Sequence, residues 1–169
     1  ADVSRMGGKL LRMYCHRLGS GEVRSVSLCR RAAREFVAQA GIPSAELISK
    51  SERDGVCSYV FAGTAVCGDE TVICRGERIT VTVARQGARV CSFDATEYYR
   101  ERPASHVMMK PKINRAEAMR LAGASAHTLS LVLDSDEDFA TLKKLYWCVS
   151  GGKILYIDAQ TGEMIPQNP

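Results

Sequence analysis

Several function classes need residues that this chain does not have. It has no run of about 18 apolar residues, so nothing in it reads as a transmembrane helix, and its N-terminus has no charged-then-apolar leader pattern. None of its cysteines are spaced C-x-x-C, which removes zinc-ribbon and thioredoxin-like readings. There is no Gly-x-Gly-x-x-Gly and no Gly-Lys-Ser/Thr loop to cradle phosphates; Gly151-Gly152-Lys153 is only a hairpin-like turn. Histidines number three and tryptophans one, so metal ligands and stacking platforms are both scarce.

What is present is ordinary for a folded protein: 169 residues, 46% hydrophobic and 25% charged, enough for one domain or two small ones. The net charge of +4 is weighted to the start, in Arg5, Lys9, Arg12, Arg17, Arg24, Arg30, Arg31 and Arg34. Without interleaved aromatics this reads first as a solvated helix face, with an acidic partner as the alternative, and no nucleic acid is expected.

Seven cysteines, Cys15, Cys29, Cys57, Cys67, Cys74, Cys91 and Cys148, lie mostly in apolar runs, where a free thiol behaves as a small buried hydrophobe. In an oxidising compartment one or two disulfides stay open, with an odd thiol left over.

Periodicity predicts a helix over about Val26–Ala40, with Cys29, Ala32, Ala33, Phe36, Val37 and Ala40 on one face, Ser25 as N-cap and Gly41 as stop. Short strands are expected at 57–61, 71–74, 79–83 and 88–93. Ile79-Thr80-Val81-Thr82-Val83 alternates cleanly between faces. A connector with Pro103 and Pro111 leads to a helix opening at Asn114-Arg115-Ala116-Glu117 and ending at Gly123, then strands at 128–133, 142–149 and 153–158. Val83-Ala84-Arg85-Gln86-Gly87-Ala88 and Asp158-Ala159-Gln160-Thr161-Gly162-Glu163 share the order strand end, Ala, two polar residues, Gly, which suggests a repeat. The expected organisation is a terminal hairpin of a preceding repeat (1–21), a module (22–101), a connector (102–112) and a C-terminal module (113–169). Ala1–Met6 reads as the middle of a longer architecture, so an anchoring segment is expected N-terminal to it.

Catalytic readings find little to build on. Cys15-His16 are neighbours whose side chains would point to opposite faces of a strand, and His106 and His127 stand alone. Asp134, Asp136, Glu137 and Asp138 lack the glycine and closing glutamate of a calcium loop. A non-enzymatic chain with no cofactor and no metal is expected. Trp147, Tyr98 and Tyr99 are the side-chain types that anchor interfaces, although Trp147, between Tyr146 and Cys148, equally suits a core.

The strand and turn Tyr156-Ile157-Asp158-Ala159-Gln160-Thr161-Gly162-Glu163 resembles the end of a PepSY domain. Across the whole chain the order of segments resembles the C-terminal region of the YpeB spore germination family. Gly7-Gly8-Lys9-Leu10-Leu11-Arg12-Met13 followed by Arg17, the helix bearing Ala32, Phe36 and Val37, and Val72-Ile73 leading to Ile79-Thr80-Val81-Thr82-Val83 fall in register. The chain departs from the family at Cys74-Arg75-Gly76, in a longer Tyr98–Lys112 connector with His106 displaced, and in a short Ser150–Lys153 hairpin.

The resemblance implies an α+β fold of tandem PepSY modules, each a helix packed on an antiparallel meander. It also implies a non-catalytic, membrane-anchored, extracytoplasmic protein at the spore inner membrane and cortex. The partner it implies is a SleB-like cortex-lytic hydrolase; cortex peptidoglycan is a second candidate ligand, and inhibition of a protease is the wider PepSY theme.

Overall fold

The computed structural model describes residues 1–5, 7–15, 20–105, 110–123, 128–135, 143–150 and 155–166. They form a mixed α+β architecture that divides into two compact units. One comprises Ala1–Gly63 with Glu77–Pro103, the other Thr64–Gly76 with Ala104–Pro169. Each is described on its own.

The first unit contains β1 (Asp2–Val3), β2 (Leu10–Tyr14), α1 (Val26–Gln39), β3 (Ala45–Arg53), β6 (Arg89–Asp94) and all but the last two residues of α2 (Thr96–Ser105). It also takes most of β4 (Val56–Cys67) and the end of β5 (Glu70–Ala84). Its strands run in the order β3–β4–β5–β6–β2–β1.

Helix α1 forms where its sequence predicts. The Ser25 side chain accepts from the Leu28 N–H, and the far end closes with Ile42 N–H to Val37 O (3.2 Å) and Gly41 N–H to Ala38 O (3.0 Å). Gly41 sits at φ 84°, where a Cβ would be strained. Cys29, Ala33 and Val37 are buried against Cys57, Tyr59 and Phe61 of β4 and Ile79, Val81 and Val83 of β5, and the Tyr59 hydroxyl donates to Val26 O at 2.9 Å. Thr80 and Thr82 take the other face of β5, where the Thr82 and Ser92 hydroxyls pair at 2.6 Å.

Helix α2 starts on Asp94, whose carboxylate accepts from Thr96 N–H and from Arg12, each at 2.9 Å. Burial pushes the Asp94 carboxyl up, but these donors and the Arg12 charge outweigh it and hold the group below its ordinary value. A depressed carboxyl contributes stability that is present above the unfolded value of about 3.9 and is lost as pH falls through the folded value. Asp94→Asn is therefore expected to melt below the parent at pH 7, with the gap closing toward pH 2 in a series of thermal melts. A gap independent of pH would remove the carboxylate's ionisation as the cause.

The second unit holds α3 (Arg115–Ala122), β7 (Thr128–Ser135), β8 (Lys143–Ser150), β9 (Leu155–Asp158) and β10 (Met164–Pro166), with the end of β4 and the start of β5. β7 to β10 are an antiparallel meander, and β5 joins β7 in parallel, Val72 opposite Leu131. Asn114 caps α3 by accepting from Glu117 N–H at 2.9 Å, and Gly123 at φ 80° ends it. Ala118, Leu131, Trp147 and Ile157 are fully buried at its core. Each unit carries a glycine turn between adjacent strands, at Gly87 (φ 70°) between β5 and β6 and at Gly162 (φ 77°) between β9 and β10.

The second of those turns shows why its residues are there. Asp158 Oδ1 accepts from Gln160 N–H (2.7 Å) and Thr161 N–H (3.0 Å), Thr161 Oγ1 accepts from Glu163 N–H (3.2 Å), and Gly162 adopts φ 77°. A Cβ on Gly162 would also stand 3.4 Å from Ile113 Cδ1. In urea denaturation Asp158→Ala is expected to cost about 1–2 kcal/mol, while Asp158→Asn, which keeps the accepting oxygen, costs less than half of that. Equal losses would show that the two backbone donors are not what the side chain serves.

Candidate functional site

Trp147 lies on β8 with no exposed surface. Its Nε1–H donates to Ile113 O at 2.8 Å, and Arg115 lies 5.7 Å over the ring while binding both carboxylate oxygens of Glu70 (3.1 and 3.2 Å). The indole therefore pins the start of α3 to the sheet, and it takes the core position of its two expected roles. Tyr98, expected as an interface anchor, is 5% exposed on α2, under Arg102 at 5.0 Å and edge-on to Tyr99 at 5.0 Å. Burial pushes its phenol above the ordinary value, and it too is a core side chain. Tyr99 is half-buried with its hydroxyl 3.5 Å from Ala40 O, and of the three aromatics it alone keeps appreciable surface.

Cys15 is half-buried beside β6, its N–H donating to Cys91 O at 2.7 Å. Its neighbour His16 lies outside the described residues, as do Arg17, His106, His127, Asp136, Glu137, Asp138 and the Gly151–Lys153 turn. Among the described residues no group of three or more His, Cys, Asp or Glu side chains could hold a metal ion, and no helix is long and apolar enough to cross a membrane.

Two polar clusters escaped the sequence because their members are far apart in it. In the first unit Glu77, 1% exposed, accepts from Arg102 Nη1 at 3.0 Å, and it fits only because residue 63 is glycine. In the second unit Arg75 reaches the Tyr156 hydroxyl, Asp134 at 3.5 Å and the Cys148 sulfur at 3.8 Å, with its guanidinium 5.1 Å from the Tyr156 ring centre. Four strands supply these groups, and the cation's donors are directed into the cluster. Both arrangements rigidify a sheet; neither sets a nucleophile against a base.

The outward face of α1 is different in kind. Ser27, Arg30, Arg31, Arg34 and Ala38 line a shallow exposed groove along the helix. Arg31 is tied to Glu35 at 2.7 Å, whereas Arg30 and Arg34 form no salt bridge among the described residues. Basic side chains on one helix face can draw in an anionic surface through water, an attraction that salt screens. In the same unit Val23, Leu28 and Tyr14 are large apolar side chains left exposed.

No protein-family model matches the chain, and no curated protein sequence does. Among solved structures the chain is similar to the YpeB C-terminal domain of Bacillus megaterium, with a TM-score of 0.74. The identity is 15%, and the match covers 98% of this chain and 76% of that one. The chain has that domain's fold.

Proposed function

We propose that the chain is a non-catalytic binding protein of the YpeB type, built of tandem PepSY modules, that holds and restrains a SleB-like cortex-lytic hydrolase until germination. The observation that carries this reading is the likeness in fold along nearly the whole chain. It is supported by the register of Gly7–Met13, the α1 face and Val72–Val83 with the family's blocks. On this reading the protein is extracytoplasmic, at the spore inner membrane and cortex, with a membrane anchor N-terminal to Ala1.

The basic face of α1 favours a second reading, in which the chain binds the anionic polymer of the cortex directly. Calorimetric titration against a SleB-like hydrolase, with purified cortex peptidoglycan in parallel, separates the two. Saturable hydrolase binding at about micromolar Kd or tighter is expected. Cortex binding without hydrolase binding would replace the first reading by the second, and binding of neither would overturn both.

A further inference from the structure

β3 is the edge of the first unit's sheet. It pairs with β4 on one side, and no strand pairs with its other side among the described residues. Along that side every second residue turns its backbone N–H and C=O away from β4, which makes a template for a further strand. The register with β4 shifts between Leu47 and Ser49, and beyond this irregularity Ser49 to Arg53 pair one for one with Val60 to Val56. The regular stretch, Ser49–Arg53, is exposed throughout and has Ser51 at its centre.

The charges on this stretch complement themselves. When two copies of it run antiparallel and use their full length, Ser51 meets Ser51, Ser49 meets Arg53, and each Lys50 stands opposite a Glu52. Lys50 and Glu52 share one face, in register with Tyr59 and Cys57. Glu52 gives Oε1 to Arg85 at 2.8 Å and keeps 40% of its side chain exposed, which leaves Oε2 for an ammonium. Lys50 forms no salt bridge among the described residues. A two-fold axis keeps like faces on the same side, so the register moves only in steps of two residues. One step either way sets Lys50 against Lys50 or Glu52 against Glu52. A lysine ordinarily guards an edge strand, because a partner meets it with an uncharged or like-charged residue. Here the strand's own glutamate answers it.

We propose that β3 is a self-pairing edge: two copies of the chain join their sheets through Ser49–Arg53, antiparallel about a two-fold axis at Ser51. The backbone ladder holds the strands, the two Lys50–Glu52 pairs select the register, and like-charge opposition disfavours the shifted ones. A ribbon of this length is a small interface, so association is weak, with a Kd on the order of 100 μM.

Sedimentation equilibrium of the chain up to about 1 mM is expected to show a reversible dimer. Lys50→Glu and Glu52→Lys each set like charges across the axis at both pairs, and each is expected to weaken the dimer about tenfold or more. An equimolar mixture of the two variants restores opposite charges at both pairs, and its mixed dimer is expected to return to about the parent's affinity. Circular dichroism checks that each variant is folded. Should one fail to fold, carbodiimide coupling of a mixture of heavy-isotope and unlabelled parent decides, with a Lys50–Glu52 link between one heavy and one light chain as the expected product. A parent that stays monomeric, a dimer indifferent to both reversals, or coupling confined to single-isotope products would overturn the proposal. None of these outcomes depends on whether a hydrolase binds.

Discussion

Gly63→Ala is expected to lower the melting temperature of the first unit by more than about 10 °C, a far larger loss than one methyl group on a strand normally brings. A Cβ at position 63 would stand 2.0 Å from Glu77 Oε2 and 3.0 Å from Glu77 Cβ and Cδ. The carboxylate tip could swing, but the Glu77 Cβ is fixed by its own strand. If the side chain turns away it leaves Arg102, and a carboxylate held with 2% of its side-chain surface in water loses its ion pair. Breaking a buried pair in this way costs about 3–5 kcal/mol.

A double-mutant cycle identifies the cause. Glu77→Ala removes the carboxylate and leaves Arg102, already 31% exposed at its side chain, able to turn to solvent. Adding Gly63→Ala to Glu77→Ala removes the 2.0 Å clash with the carboxylate and leaves only the 3.0 Å approach to the Cβ of residue 77, so it should cost at most about half of what it costs in the parent, giving a strong interaction energy between the two sites. A Gly63→Ala protein as stable as the parent in denaturant would mean that Glu77 does not occupy this position. Full additivity would mean that residue 63 matters for its backbone and not for the space it leaves.

Gly63 and Glu77 also mark where the sequence stops being legible. Local signals read well: a cap side chain with its backbone donor three residues on, a glycine at the end of a helix, the alternation of Ile79 to Val83, the Asp158–Gly162 turn. Each is decided by residues within a few positions of one another. Along β5 the buried positions change parity, from Val72 and Cys74 to Glu77 and Ile79, and along β4 the alternation of Cys57, Tyr59 and Phe61 is broken by the buried Ala62. These breaks interrupt the period of two and make each long strand look like shorter ones. The second half of β3, Ser49-Lys50-Ser51-Glu52-Arg53, is all exposed and is held by backbone pairing with β4, so its side chains carry no apolar signature. α2 contains Pro103 and reads as connector, yet Tyr98 buries one side of it. The Arg75 cluster joins residues 59, 73 and 81 positions away, beyond any local pattern. The aromatics were the hardest case, because an interface anchor and a core ring look alike until burial is known.

Trp147 allows that difference to be measured. It is the chain's one tryptophan, so its fluorescence reports on the second unit alone. A core indole emits at shorter wavelength than one in water, and a red shift is expected only on unfolding. Trp147→Ala removes the largest fully buried side chain and leaves Ile113 O without its donor, and it is expected to cost about 3–5 kcal/mol for the cavity with a further 1–3 kcal/mol for the lost partner. In a unit of this size that approaches the whole folding free energy. Trp147→Phe keeps most of the volume and loses the N–H, so about 1–3 kcal/mol in denaturant melts is expected, with the unit still folded. If the folded Phe variant keeps the parent's affinity for a bound hydrolase, Trp147 acts through the core. A folded Phe variant that loses binding by more than tenfold, together with water-like emission from the parent, would place the indole at an interface and overturn its burial.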